Sequence, residues 1–146
     1  MYKLSKFILA FYFTINIFNS AISIEKFFDE GLKLFENKKY DDAKFMFEKS
    51  IVFNPKDSNS YLYLAKIYNF QEDTEKEEKN LDATLLIDPE NEEALLMLMK
   101  IGLEKSNYSK VKDLSKKFKE ACKNLCDENK EILETLKNIE PKNNDS

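Results

Sequence analysis

The sequence contains no histidine, no tryptophan and no arginine; all 23 of its basic residues are lysine. Without His there is no imidazole for a catalytic triad or a His-ligated metal. Without Arg there is no arginine finger and no planar fork for bidentate reading of phosphate or guanine. Cysteine is almost as scarce. Cys122 and Cys126 are the only two, too few for a zinc site without His, and a haem attachment needs Cys-x2-Cys-His, which is not present. No Gly-rich phosphate loop and no nucleophile elbow occurs, and the carboxylates fall in solvated runs, so neither enzymatic activity nor a cofactor or metal is expected. Two glycines and three prolines in 146 residues leave little punctuation for the turns of an all-β fold. A single helical domain is the expectation, with 42% hydrophobic residues to build its core.

The acidic residues are missing from one place. Met1 to Ser23 contains none of the 27 in the chain, but carries Lys3 and Lys6 and then the apolar run Phe7 to Phe18, interrupted by Thr14 and Asn16. Small residues follow, and Ala21-x-Ser23 satisfies the small-x-small rule of signal peptidases. Residues 1–23 therefore read as a secretory signal peptide, cleaved after Ser23 or after Ala21, with an uncleaved membrane anchor over residues 7–23 as the alternative. Without Lys3 and Lys6, 21 lysines face 27 acids, a net charge of about −6. That is the wrong sign for a nucleic-acid binder.

Self-similarity organises the rest. Asn54-Pro55 and Asp88-Pro89 lie 34 residues apart, each ending an apolar helical pattern. Phe27-x2-Glu30-Gly31-x2-Leu34, then Tyr40-x2-Ala43-x3-Phe47-x2-Ser50 and Pro55, is matched by Tyr61-x2-Leu64-Ala65-x2-Tyr68, Leu81, Thr84 and Pro89. A third copy holds Leu95, Leu98, Met99, Tyr108, Val111 and Phe118 without its proline. This pattern resembles the tetratricopeptide repeat family, whose unit is a pair of antiparallel helices. The resemblance implies an all-α fold, a right-handed superhelix of helix pairs (24–57, 58–91 and 92–125) within a domain spanning 24–139. A capping helix over 128–139, with Ile132, Leu133, Leu136 and Ile139 on one stripe, and a disordered tail over 140–146 complete the expectation.

Two departures from the family pattern carry expectations of their own. Glu77 stands where a small residue is usual, so the turn Gln71 to Asn80 is expected to be loose. Gly102 replaces a large side chain and Lys123 the proline, so the second helix of the third pair is expected to run on toward Asn124. The acidic run Glu72 to Glu78 reads as an exposed turn. Lys112, Lys116, Lys119 and Lys123 read as a solvated face partly neutralised by Glu128, Glu131 and Glu134, with an anionic membrane surface as the other reading.

The family's packing implies that the first helix of each pair lines a concave groove. In this sequence the groove would present Phe28, Leu32 and Phe35, then Leu62, Lys66, Asn69 and Phe70, then Leu96, Lys100 and Leu103. Phe27, Gly31 and Phe47 would hold the fold, because neighbouring residues on a helix are about 100° apart and Phe27 and Phe28 cannot share one role. Such a lining suits an apolar peptide or helix with an acidic group. In an exported chain Cys122 and Cys126 read as a disulfide closing a short loop, contributing about 2 kcal/mol at most. The functional expectation is an exported, periplasmic or secreted, protein–protein interaction module or scaffold. A self-associating envelope subunit, in which the surplus Phe residues meet another copy, and a membrane-anchored adaptor are the alternatives.

Overall fold

The computed structural model describes residues 26–139. The proposed signal segment and the tail from 140 lie outside the described residues. Those described form seven α-helices and no strand: α1 (26–36), α2 (Tyr40–Phe53), α3 (Ser58–Phe70), α4 (Thr74–Ile87), α5 (Glu92–Glu104), α6 (Tyr108–Ala121) and α7 (Cys126–Ile139). They divide into two compact units that meet in sequence at Ser60 and Tyr61.

The 34-residue period is written into the backbone as well as the side chains. The only non-glycine residues with positive φ among those described are Lys38, Glu72 and Ser106, at 59°, 59° and 54°. Each closes the turn inside a helix pair by the same two hydrogen bonds. The N–H groups of Lys39, Asp73 and Asn107 donate to the carbonyls of Leu34, Tyr68 and Gly102. Those of Lys38, Glu72 and Ser106 donate to Phe35, Asn69 and Leu103. This is the Schellman closure, which satisfies carbonyls the helix end would leave open. It is built here without glycine, so each turn holds about 1 kcal/mol or more of left-handed strain. The turn before Glu77 is thus as tight as its two counterparts, and the expected looseness is not found.

The second helices end in step too, the N–H groups of Asn54, Asp88 and Cys122 donating to Ser50, Thr84 and Phe118. The helix α6 therefore stops at Ala121 instead of running on toward Asn124. Its start, like those of α4 and α5, is fixed by a side-chain cap: Asp73, Asn91 and Asn107 accept from the N–H groups of Lys76, Ala94 and Lys110. Each such cap contributes on the order of 1 kcal/mol.

In the first unit α1 and α2 close over Phe47, which is fully buried, as is Ala43. Gly31 makes this possible: a Cβ there would lie 2.7 Å from the Phe47 ring. Phe27 stacks on Phe53 with ring centroids 5.3 Å apart, and the Lys49 ammonium lies 4.2 Å above the Phe27 ring. Beyond α2, Asp57 accepts from the Ser50 and Ser60 hydroxyls and from the Ser60 N–H, so the two buried serines are satisfied by one carboxylate.

The second unit has a larger core in which Leu62, Ala65, Leu81, Leu95, Leu98, Met99, Val111, Phe118, Ile132 and Leu136 form one cluster. Its α5 packs against α4, α6 and α7. Gly102 repeats the device of Gly31, since a Cβ there would lie 2.7 Å from Val111 Cγ2. The capping helix starts at Cys126, two residues before the sequence expectation, and buries Ile132 and Leu136, whereas Ile139 stays 44% exposed. Asn129, also buried, is bonded to the Ser115 hydroxyl at 2.8 Å. Cys122 and Cys126 are placed as a disulfide across the α6–α7 corner, with Cα atoms 5.4 Å apart.

That corner is held a second way. The Glu92 carboxylate, in the first turn of α5, accepts from the backbone N–H groups of Lys123 (2.8 Å), Asn124 (3.1 Å) and Leu125 (2.7 Å). Partial desolvation pushes the Glu92 carboxyl up, and the three N–H donors outweigh it, so its pKa lies below the ordinary value.

Candidate functional site

A first-helix face can serve a ligand only where packing has not consumed its side chains. In the second unit that test separates the expected residues. Leu62 and Leu96 are 5% and 4% exposed and belong to the core cluster, so their assignment to the groove lining is corrected here. Their neighbours Tyr63 and Met97, one residue and about 100° further round, are half-buried instead. For Leu96 the reason is geometric: α5 is packed by three helices, not by its pair alone, so its buried arc is wider than the pair pattern implies. Phe28 stands 34 residues before Leu62 and is half-buried where Leu62 is buried. Its ring lies 5.7 Å from that of Phe47, tilted by 50°. Phe35 meets Tyr40 edge-on at 5.6 Å, and Leu32 is half-buried. These three side chains of the first unit serve packing at least in part.

The polar positions are placed by partners across helices. Lys66 Nζ lies 2.8 Å from the Glu93 carboxylate, tying α3 to α5, and 4.5 Å from the Tyr63 ring centroid. A partly exposed pair of this kind contributes about 0.5–1 kcal/mol. Asn69 donates to Glu77 Oε1 at 3.1 Å, which is how the unexpected carboxylate is tolerated between α3 and α4. Burial pushes the Glu77 carboxyl up, and the Asn69 hydrogen bond only partly opposes this. Glu78 is not a solvated residue of an acidic turn either: Lys105 and Lys110 both bond to it, and they hold its pKa below the ordinary value. Of the four lysines expected on one face, Lys116 on α6 pairs with Asp113, and Lys123, past the end of α6, with Glu90; neither carboxylate is from α7.

Of the remaining expected residues three keep accessible surface, as Asn69 also does. Phe70, at the end of α3, is 57% exposed. Lys100 on α5 is exposed and has no ion pair among the described residues. Leu103 is half-buried against the core. Sequence reasoning missed Tyr63, Glu93 and Met97 on the same face. The leucines recurring at 62 and 96, with different residues beside them, were the available sign that the inner row lay one position earlier. No group of three Asp, Glu or Cys among the described residues could hold a metal ion. No described helix is long and apolar enough to cross a membrane.

Residues 46–79 match the family model described as tetratricopeptide repeat, covering the second half of α2, all of α3 and the start of α4. Over those residues the chain carries a tetratricopeptide repeat. The fold agrees with solved tetratricopeptide domains over most of its length. It is similar to the Yersinia enterocolitica type III secretion chaperone SycD, solved in complex with a peptide of the translocator YopD, at 16% identity and a TM-score of 0.71, covering 79% of this chain and 92% of that one. The tetratricopeptide domain of Sgt2 from Aspergillus fumigatus gives 21% identity and a TM-score of 0.66 over 80% and 78% of the two chains. The first tetratricopeptide domain of Spaghetti (RPAP3), solved with an HSP90 peptide, gives 16% and 0.67 over 78% and 95%. No curated protein sequence matches the chain significantly. The all-α tetratricopeptide fold expected from the sequence is the one found.

Proposed function

We propose that the protein is an exported tetratricopeptide-repeat protein that binds a segment of another protein and catalyses no reaction. The face it would use is that of α3 and α5 in the second unit. The observation that carries this reading is Phe70, a large apolar ring left 57% exposed on the same face as Lys66 and Lys100. An apolar side chain on the partner would cover the ring, and a carboxylate would pair with Lys100. The peptide complexes formed by SycD and RPAP3 support binding of this kind. Export rests on Lys3, Lys6, the apolar run and Ala21-x-Ser23, and a Cys122–Cys126 disulfide suits an oxidising compartment.

The test is site-specific photo-crosslinking from position 70 in the host, followed by affinity measurement with the captured segment. Phe70→Ser and Lys100→Glu alter exposed groups and should leave the melting midpoint within a degree or two, yet each should weaken binding by about 1–3 kcal/mol. Unchanged affinity in both variants would refute the assignment of the face. The intact mass of protein recovered from the host should correspond to a chain beginning near Ile24; a mass beginning at Met1 would favour the anchor.

A further inference from the structure

On the second helices of the two units, taken separately, two features remain without occupants. In the first unit, α2 presents Phe45 and Val52 at 58% and 76% exposure. Seven residues apart, they lie on one line of the helix, since seven residues make nearly two turns. Glu48 flanks that line on one side and Lys49 on the other. Glu48 is exposed and has no ion pair among the described residues. In the second unit a cleft of about 600 Å³ runs between α4 and α6. Its floor includes Leu85, Leu98 and Leu114, and Leu86 on its lip is 86% exposed. The α4 side carries Asp82 and the α6 side Lys117, neither with an ion pair among the described residues. A smaller hollow of about 260 Å³ shares Leu85 and Lys117 with it and extends it toward Ala121.

We propose that this cleft receives α2 of a second copy of the chain, joining copies head to tail. The apolar line of Phe45 and Val52 matches the leucine floor, and the flanking charges match in sign as well as in order. With Glu48 over α6 it meets Lys117, and Lys49, whose ammonium also lies over the Phe27 ring of its own chain, then sits on the α4 side toward Asp82. The reverse orientation sets Glu48 against Asp82 and Lys49 against Lys117, so the charges select one direction for the entering helix. Lys110 and Asp113, also at the cleft, are engaged by Glu78 and Lys116 and add little to the choice. The donor and acceptor surfaces are different, so the contact is heterologous and propagates beyond two copies unless a ring closes. One helix in one cleft is a small interface, and association is expected in the micromolar range or weaker. Phe70 and Lys100 of the α3–α5 face do not line the cleft.

Sedimentation velocity of the protein recovered from its host, from about 1 to 300 µM, tests this, the range bracketing an affinity of that order. The wild type should grow past dimer as concentration rises. The donor variant Phe45→Glu/Val52→Glu and the acceptor variant Leu86→Glu/Lys117→Glu should each stay monomeric, with circular dichroism confirming that both are folded. Mixed in equal amounts, they retain one intact donor and one intact acceptor between them and should form a dimer that grows no further. Glu48→Lys alone should weaken association at least fivefold, and Lys117→Glu in the same chain should restore it. A wild type that is monomeric throughout overturns the proposal. So does a mixture of folded variants that stays monomeric, or a dimer broken by the donor variant but untouched by the acceptor variant. None of these results bears on Phe70 or Lys100.

Discussion

The close approach of α5 and α6 rests on one missing carbon, and adding it gives a quantitative test. In Gly102→Ala the new Cβ falls 2.7 Å from Val111 Cγ2, with its next neighbours at an ordinary 3.6 Å and 3.9 Å. Carbon atoms prefer about 3.5–4.0 Å, so the overlap is close to 1 Å and involves a single methyl group. Both residues are buried, and Val111 is β-branched and stiff at χ1. Overpacking of this kind costs about 1–3 kcal/mol, against a gain of about 1 kcal/mol for replacing Gly inside a helix. Gly102→Ala should therefore destabilise the protein by about 1 kcal/mol. Val111→Ala, which removes two fully buried methyl groups, should cost about 2–3 kcal/mol. In that background the obstacle is gone, and the added Cβ fills part of the hole. Gly102→Ala should then stabilise, by about 0.5–1 kcal/mol, so the same substitution changes sign. The coupling energy is about 1.5–2 kcal/mol, well above the few tenths expected of independent sites. Urea unfolding of the four proteins, followed by circular dichroism at constant m, measures it. Additivity within 0.5 kcal/mol would show that Val111 is not what Gly102 makes room for.

Three further outcomes follow from single residues. Glu72→Gly should stabilise by about 0.5–1 kcal/mol in urea, because it removes left-handed strain at the α3–α4 turn and the loss of chain stiffness offsets only part of that; a destabilised variant would contradict the positive φ. Burial raises the Glu77 pKa in the folded state, so the fold takes up a proton and loses stability as pH rises through that value; Glu77→Gln should raise the thermal midpoint at pH 7 and change it less at pH 4, and an equal effect at both would refute the reasoning. Glu92 shifts the other way, so its contribution is present above its unfolded pKa and lost as pH falls through the lower folded value; Glu92→Gln should destabilise at pH 7 and converge on wild type in acid, with α7 amides losing hydrogen-exchange protection first.

The parts of the fold legible in the sequence were those where one residue type has one structural use. Proline after a helical pattern, Gly31 opposite Phe47, and the recurrence of large apolar residues at 34 located the pairs directly. The turns were not legible as turns, because Lys38, Glu72 and Ser106 occupy a conformation whose usual mark is Gly or Asn. The site was legible only in part. Facing a partner and facing a groove differ by one residue, about 100° on a helix, and which row is covered depends on the third helix that packs there. Leu62 and Leu96 fell on the covered side, Phe70 and Lys100 on the open one.

The break in the repeat at Lys123 makes the α6–α7 corner unlike the two before it. At Pro55 and Pro89 the chain gives up a backbone N–H at the position after the second helix. At Lys123 the N–H is kept, and it is the first of three that converge on the Glu92 carboxylate. A proline there would remove the donor at 2.8 Å and leave Glu92 with two. The departure from the repeat pattern is thus the position at which the chain fastens α7 against α5 and α6, with the Cys122–Cys126 bond spanning the same corner. Lys123→Pro tests whether this reading of the corner is right. Replacing an exposed lysine with the residue found at the two equivalent positions should be neutral if the corner is an ordinary inter-repeat turn. If it is a carboxylate-bound clasp, the variant should unfold at a lower urea concentration than wild type, and that loss should shrink in a Glu92→Gln background. A loss that is the same with and without Glu92 would mean that proline harms the corner through backbone geometry alone, and that the clasp does not hold α7.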